Sequence, residues 1–137
     1  TRLQGDWSSD VCSSDLKGLG VIHSCAHSLS ACFDIHHGLA NGVMLPYGAQ
    51  MNLPSMEKKA LSVARILNGG NATGSDLPHI LFDLISEAGL PTNLGAFEIK
   101  ENDISKLSTF AFQDGCHLTN PLKMTEEKFS DLFKSAL

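Results

Sequence analysis

Four of the six histidines in this 137-residue chain fall in one stretch, residues 20–40, which reads GVIHSCAHSLSACFDIHHGLA. His23 and His27 are four apart, so on a helix they stand on one face, one turn above the other. His37 follows His23 by fourteen residues, beyond an expected break over 34–36, and Gly38 comes directly after it. A helix carrying one imidazole, a turn, and a second imidazole at the start of the next helix can close on one metal ion.

Spacing alone leaves two readings open. An H-x-x-x-H pair on a helix is a common metal arrangement. A zinc peptidase, however, needs a glutamate beside the first histidine as general base, and that place is held by Ser24. In the other reading His23 and His27 are hydrogen-bonded core or surface histidines. Two imidazoles do not complete a site, because iron and zinc centres usually take three or four protein ligands. No second cluster of Asp, Glu and His at ligand spacing follows downstream, so the missing ligands are expected on a segment outside this sequence.

The bulk numbers narrow the setting. The length fits one domain with one ordinary core. At 42% hydrophobic and 18% charged residues, the composition is that of a globular protein rather than a disordered one. Net charge is −5 with no basic run, which argues against a nucleic-acid partner. No apolar stretch is long enough to span a bilayer. Cys12, Cys25, Cys32 and Cys116 form no CxxC pair, and are expected to be reduced thiols in a cytoplasmic protein.

Residues 1–16, TRLQGDWSSDVCSSDL, stand apart: they are polar, hold the only tryptophan and repeat Ser-Ser-Asp. The string DWSSDVCSSDL resembles the in-frame translation of a sequencing-library adapter. Residues 1–16 are therefore expected to be an adapter-derived artefact or a disordered leader, joined near Lys17 to the metal-binding helical domain of 17–137.

From Lys17 onward the pattern predicts about six helices and no strand. The first, over 19–33, is apolar and rich in small residues, as a buried helix would be. A second covers 38–52, with Pro46 expected to bend or divide it, and a third covers 56–67 with Ser55 as its N-cap. That helix stops at Asn68-Gly69-Gly70. Ser75 or Asp76 is expected to cap a fourth helix, with Pro78 in its first turn and Leu81, Leu84, Ile85 and Ala88 on one side. Residues 91–99 read as an irregular connection. Asn102 or Asp103 begins a fifth helix running to about 113. Thr125 caps the last, whose apolar face is Phe129, Leu132, Phe133, Ala136 and Leu137.

The histidine stretch resembles the second signature of the iron-dependent alcohol dehydrogenases. In that family His-x-x-x-His is followed by a small-residue pair and then by His-Gly, places held here by His23, His27, Ser30-Ala31 and His37-Gly38. The similarity continues through LPYGAQMN at 45–52, GLPTNL at 89–94 and DGCHLTNP at 114–121. Departures from the pattern are His36 where many relatives have Pro, Ser28 and Ser30 in place of frequent Pro and Gly, and Leu122 where relatives often carry Arg.

The resemblance implies an all-α helical bundle of the dehydroquinate synthase-like C-terminal type. It makes His23 and His37 metal ligands, and sets His27 beside the metal and substrate for substrate positioning or proton transfer. It further implies an upstream α/β domain that binds NAD or NADP and adds an Asp and a His to the metal. The reaction implied is hydride transfer between an alcohol and the dinucleotide, with Fe²⁺ as Lewis acid and Zn²⁺ as the alternative. A small alcohol or aldehyde would be the substrate and the whole protein a homo-oligomer.

No Gly-rich phosphate loop follows a strand here, so the chain alone is expected to be inactive and to bind metal weakly. Competing readings are the helical half of a dehydroquinate synthase-type lyase, of a glycerol dehydrogenase or of a maleylacetate reductase, and a non-enzymatic module with structural histidines. His79 and His117 read as surface or packing residues, Cys25 and Cys32 as core, and Glu57, Lys59, Glu126 and Glu127 as solvated helix faces.

Overall fold

A computed structural model describes residues 19–137 of the chain; the expectation for residues 1–16 lies outside the described residues. All of the regular structure in that span is helical. The α-helices are α1 (Val21–Phe33), α2 (His37–Asn68), α3 (Leu77–Glu87), α4 (Ile104–Gln113) and α5 (Glu126–Ser135), with short 3₁₀ segments in each connection after α2. The expected second and third helices follow one another within α2 and meet at a kink at Met56.

The two prolines of α2 behave differently. Pro46 lies buried inside α2 without interrupting it, and the break comes further on at Met56, two residues after Pro54. There the backbone leaves helical geometry (φ −140°, ψ 25°). Pro54 has no N–H to continue the helical ladder, and the two helical stretches meet at the kink just after it, with no side-chain cap hydrogen bond from Ser55.

Several ends are capped by residues other than those the sequence suggests. Val21 N–H at the start of α1 is taken by Asn120 Oδ1 at 3.2 Å, from 99 residues away. The same carboxamide exchanges hydrogen bonds with Asn52 on α2 at 3.0 and 2.7 Å. At the entry to α3, Asp76 turns back to accept from the N–H and hydroxyl of Thr73 at 2.7 and 2.8 Å, so Thr73 opens the turn instead of Ser75 or Asp76. Lys100 and Asp103 are joined in the same sense before α4. Thr125 caps α5 as expected, accepting from Lys128 N–H.

The main core is shared by α1 (Val21, Cys25, Leu29), α2 (Val43, Met44), α4 (Leu107, Ala111) and α5 (Phe129, Leu132, Phe133). A smaller cluster joins the far half of α2 to α3 through Ala60, Ala64, Leu77 and Leu81. Two faces are narrower than the periodicity predicts. Leu84 of α3, Ala88 just after it and Leu137 after α5 are exposed, because among the described residues nothing packs over the outer edges of these two helices.

Helices α1 and α2 pack tightly at Gly48, where a β-carbon would lie 2.4 Å from Ile22 Cγ1. Gly48→Ala is expected to destabilise the domain by about 1–3 kcal/mol through overpacking, and Ile22→Ala in the same chain should recover part of that loss; denaturant melts of the two variants measure it. Asp76 gives a second expectation. Its pKa is lowered, first by the Thr73 N–H bond and then by the Thr73 hydroxyl. A carboxyl lowered on folding contributes stability above its unfolded value, about 3.9, and loses it as pH falls through the native value. The melting temperature of Asp76→Ala should therefore lie below that of the parent at pH 7, and the gap should close on acidification.

Candidate metal centre

Helix α1 carries both His23 and His27 toward the outside of the bundle, while Val21, Cys25, Ala26 and Leu29 are buried on its core side. The helix ends at Asp34, which adopts the left-handed conformation (φ 55°) and returns its N–H to the Ser30 carbonyl. Ser30 Oγ meanwhile donates to the carbonyl of Ile35 at 2.8 Å. This locks the three-residue turn expected from sequence, and α2 begins at His37. Ser28 is turned inward onto the Cys25 carbonyl.

The turn brings three imidazoles together. Ring centres of His23 and His37 are 5.4 Å apart. His27 stacks on His37 at 5.1 Å with the planes 25° from parallel, and it meets His23 edge-on at 6.2 Å. A nitrogen ligand sits about 2.1 Å from Fe²⁺ or Zn²⁺, so two ring centres at a tetrahedral angle around one ion are roughly 5.2 Å apart. The spacing of His23 and His37 fits that arrangement.

Protonation matters as much as distance, because only neutral imidazole ligates. Burial lowers the pKa of His23, and the neighbouring His37 and His27 lower it further, against an opposing pull from Asp114. His37 is engaged on one side: Nε2 lies 3.0 Å from Asn41 Nδ2. An amide nitrogen can only donate, so Asn41 occupies the Nε2 lone pair while its own buried Oδ1 has no partner. Coordination through that nitrogen displaces Asn41.

The group with three donors at metal spacing among the described residues is a different one: His27, Asp114 and Cys116, all within 4.8 Å. Its atoms are already committed to each other. Asp114 follows α4 and opens the next 3₁₀ turn, accepting from the N–H of Cys116 at 2.8 Å. It also accepts from Ser24 Oγ at 2.8 Å and pairs with His27 Nδ1 at 2.8 Å. Burial works to raise its pKa, yet the hydrogen bonds from His27, Cys116 and Ser24 outweigh burial and hold the carboxyl far below the usual range. Burial and the adjacent Asp114 push the Cys116 thiol up to about 11, which disfavours the thiolate that a metal would need. We read this group as a support for His27.

Asp114 and Asn41 were not singled out by sequence reasoning. Asp114 lies inside the DGCHLTNP segment, so a signal was present, but nothing in the spacing connects it with a histidine 87 residues earlier. Ser24, read only as the missing glutamate of a peptidase, is buried and serves Asp114. His117 is a packing residue as expected: it is 7% exposed, stacked on Phe112, edge-on to Phe129 and bonded to the Phe112 carbonyl. His79 is a surface residue 3.6 Å from Asp83. Cys25 is fully buried and Cys32 partly so, and both are free thiols. Among the described residues no helix is long and apolar enough to cross a membrane.

Comparison with known proteins fits this geometry. The family described as "Fe-containing alcohol dehydrogenase family, C-terminal" matches residues 15–137. A 1,3-propanediol dehydrogenase from Citrobacter freundii is 32% identical over 125 residues, covering 86% of this chain and 32% of that protein. Alcohol dehydrogenase 4 of Saccharomyces cerevisiae is 31% identical over 120 residues, covering 86% and 31%. A crystal structure of 1,3-propanediol oxidoreductase superposes with a TM-score of 0.80 at 29% identity, over 87% of this chain and 33% of that one. The chain spans about a third of the length of the curated relatives it matches. It belongs to the iron-containing alcohol dehydrogenase family, and its helices are that family's C-terminal domain.

Proposed function

We propose that this domain supplies the histidine side of a divalent metal site in an NAD(P)-dependent dehydrogenase that interconverts small alcohols with aldehydes or ketones. The observation that carries the reading is the 5.4 Å approach of His23 and His37 across a three-residue turn, in a chain of an iron-containing family. Relatives named NAD-dependent methanol dehydrogenase and lactaldehyde reductase support the dinucleotide and the substrate class. Fe²⁺ follows from the family, and the imidazole donors suit Zn²⁺ as well.

In this reading His23 and His37 hold the ion, with further ligands and the dinucleotide site on an α/β domain, in a homo-oligomer of the cytoplasm. The bound ion supplies Lewis acidity toward the substrate oxygen. The chain's own residues do the rest: burial keeps His23 neutral, Asn41 yields His37, and His27 orients the substrate hydroxyl or carries its proton.

A Zn²⁺ or Co²⁺ titration of the purified chain by calorimetry tests the assignment. His23→Ala and His37→Ala should each weaken binding tenfold or more, and unchanged affinity in either variant would overturn the ligand pair. Asn41→Ala should tighten binding by about fivefold, the worth of one ordinary hydrogen bond of about 1 kcal/mol, because it removes the competitor for the His37 lone pair.

A further inference from the structure

We propose that Asp114 is a positioning residue that fixes the tautomer of His27, keeping the proton on Nδ1 and the free lone pair on Nε2. The consequence for catalysis rests on the reading above, in which His27 stands beside the metal and the substrate; the tautomer itself does not.

For a neutral ring the geometry allows one arrangement of protons. Asp114 Oδ1 is occupied by two donors, the Ser24 hydroxyl and the Cys116 N–H, each at 2.8 Å. Oδ2 is thereby aimed at His27 Nδ1, also at 2.8 Å. An ionised carboxylate only accepts, so Nδ1 must donate and carry the proton. The Cys116 sulfur, 3.8 Å from Nδ1, is a weak and distant competitor. Nε2 lies on the far side of the ring from Asp114, in a side chain 41% exposed, and has no partner among the described residues.

The carboxylate has little freedom to yield. Ser24 is fully buried on α1, and Cys116 lies in a 3₁₀ turn held to the core by His117 between Phe112 and Phe129. Stacking on His37 fixes the plane of the His27 ring. Carboxylate and stack together determine which nitrogen points outward, and Nε2 is left as a base able to accept a proton from a hydroxyl. An imidazole free to take the other tautomer would present an N–H at the same place.

The test is a two-bond ¹H–¹⁵N correlation spectrum of the ¹⁵N-labelled chain at about pH 8.5, where an ordinary imidazole is neutral, with His27 assigned by its loss in His27→Gln. His27 should show a protonated Nδ1 and a bare Nε2, in an excess on the order of tenfold for a bond to a charged acceptor. In Asp114→Asn the amide oxygen stays with Ser24 and Cys116, its NH₂ turns to Nδ1, and the two nitrogen shifts should exchange places. Ser24→Ala leaves Oδ2 with His27 and should keep the parent pattern. An Nε2–H form or an even mixture in the parent chain overturns the proposal, as does a folded Asp114→Asn with unmoved shifts. If Asp114→Asn does not fold, the parent spectrum decides. A metal titration unaffected by His23→Ala and His37→Ala, beside the expected tautomer, would sink the metal reading alone; normal metal binding with the wrong tautomer would sink this inference alone.

Discussion

One carboxylate holds the site together. Asp114 joins the histidine helix α1 to the segment after α4, and it does so through the hydroxyl of Ser24 and the ring of His27, about one helical turn apart on the same face. Six residues later Asn120 caps the first turn of that helix and pairs with Asn52 on α2. The 114–120 segment thus braces α1 at its start and at its middle. Both braces are charged or multiply hydrogen-bonded, the strong kind in a partly desolvated setting. Neither α1 nor α2 has a capping side chain at its own N-terminus, so the position of the imidazoles depends on this distant segment.

The rings that the brace holds also act on one another electrostatically. Three imidazoles with centres 5–6 Å apart repel one another when protonated, and burial adds to that for His23. For His23 this favours the neutral ring, which is also the form that binds a metal ion. The negative charge of Asp114 acts the other way on His23, as the smallest of the four influences on it.

How much of this could be read from sequence depends on the range of each interaction. The i, i+4 spacing of His23 and His27, the break after Phe33 and the return at His37 are local, and helical periodicity encodes them directly. The face of α5 through Phe133 and the cap at Thr125 are legible for the same reason. Pro46 was misread because local rules charge any internal proline with a break, whereas here the packed walls of α2 carry the helix past it and the bend falls after Pro54. Leu84 and Leu137 keep a helical period but lie at the margin of their helices, and period alone does not say how wide a buried stripe is. Asp114 and Asn41 lay beyond reach for opposite reasons. Asp114 acts across 87 residues. Asn41 is four residues from His37, but an amide on the next helical turn is too common to mark a role.

Two registers must agree for the rings to meet. On α1 the helical repeat stacks His23 and His27, and an added residue there would swing one of them by about 100°. The second register is the length of the turn. Asp34 in the left-handed region, the Ser30 hydroxyl on the Ile35 carbonyl and the His36 carbonyl opening α2 leave three residues in which the chain reverses. Gly48, deep in α2, lies against Ile22 at the start of α1, so α2 runs back along α1 and returns His37 over the face that His23 and His27 share. His36, one position earlier, has its ring against Gly38 instead. A one-residue change in the turn would give His36 or Gly38 the place of His37, which makes the short, doubly bonded turn as much a part of the site as the histidines it brings together.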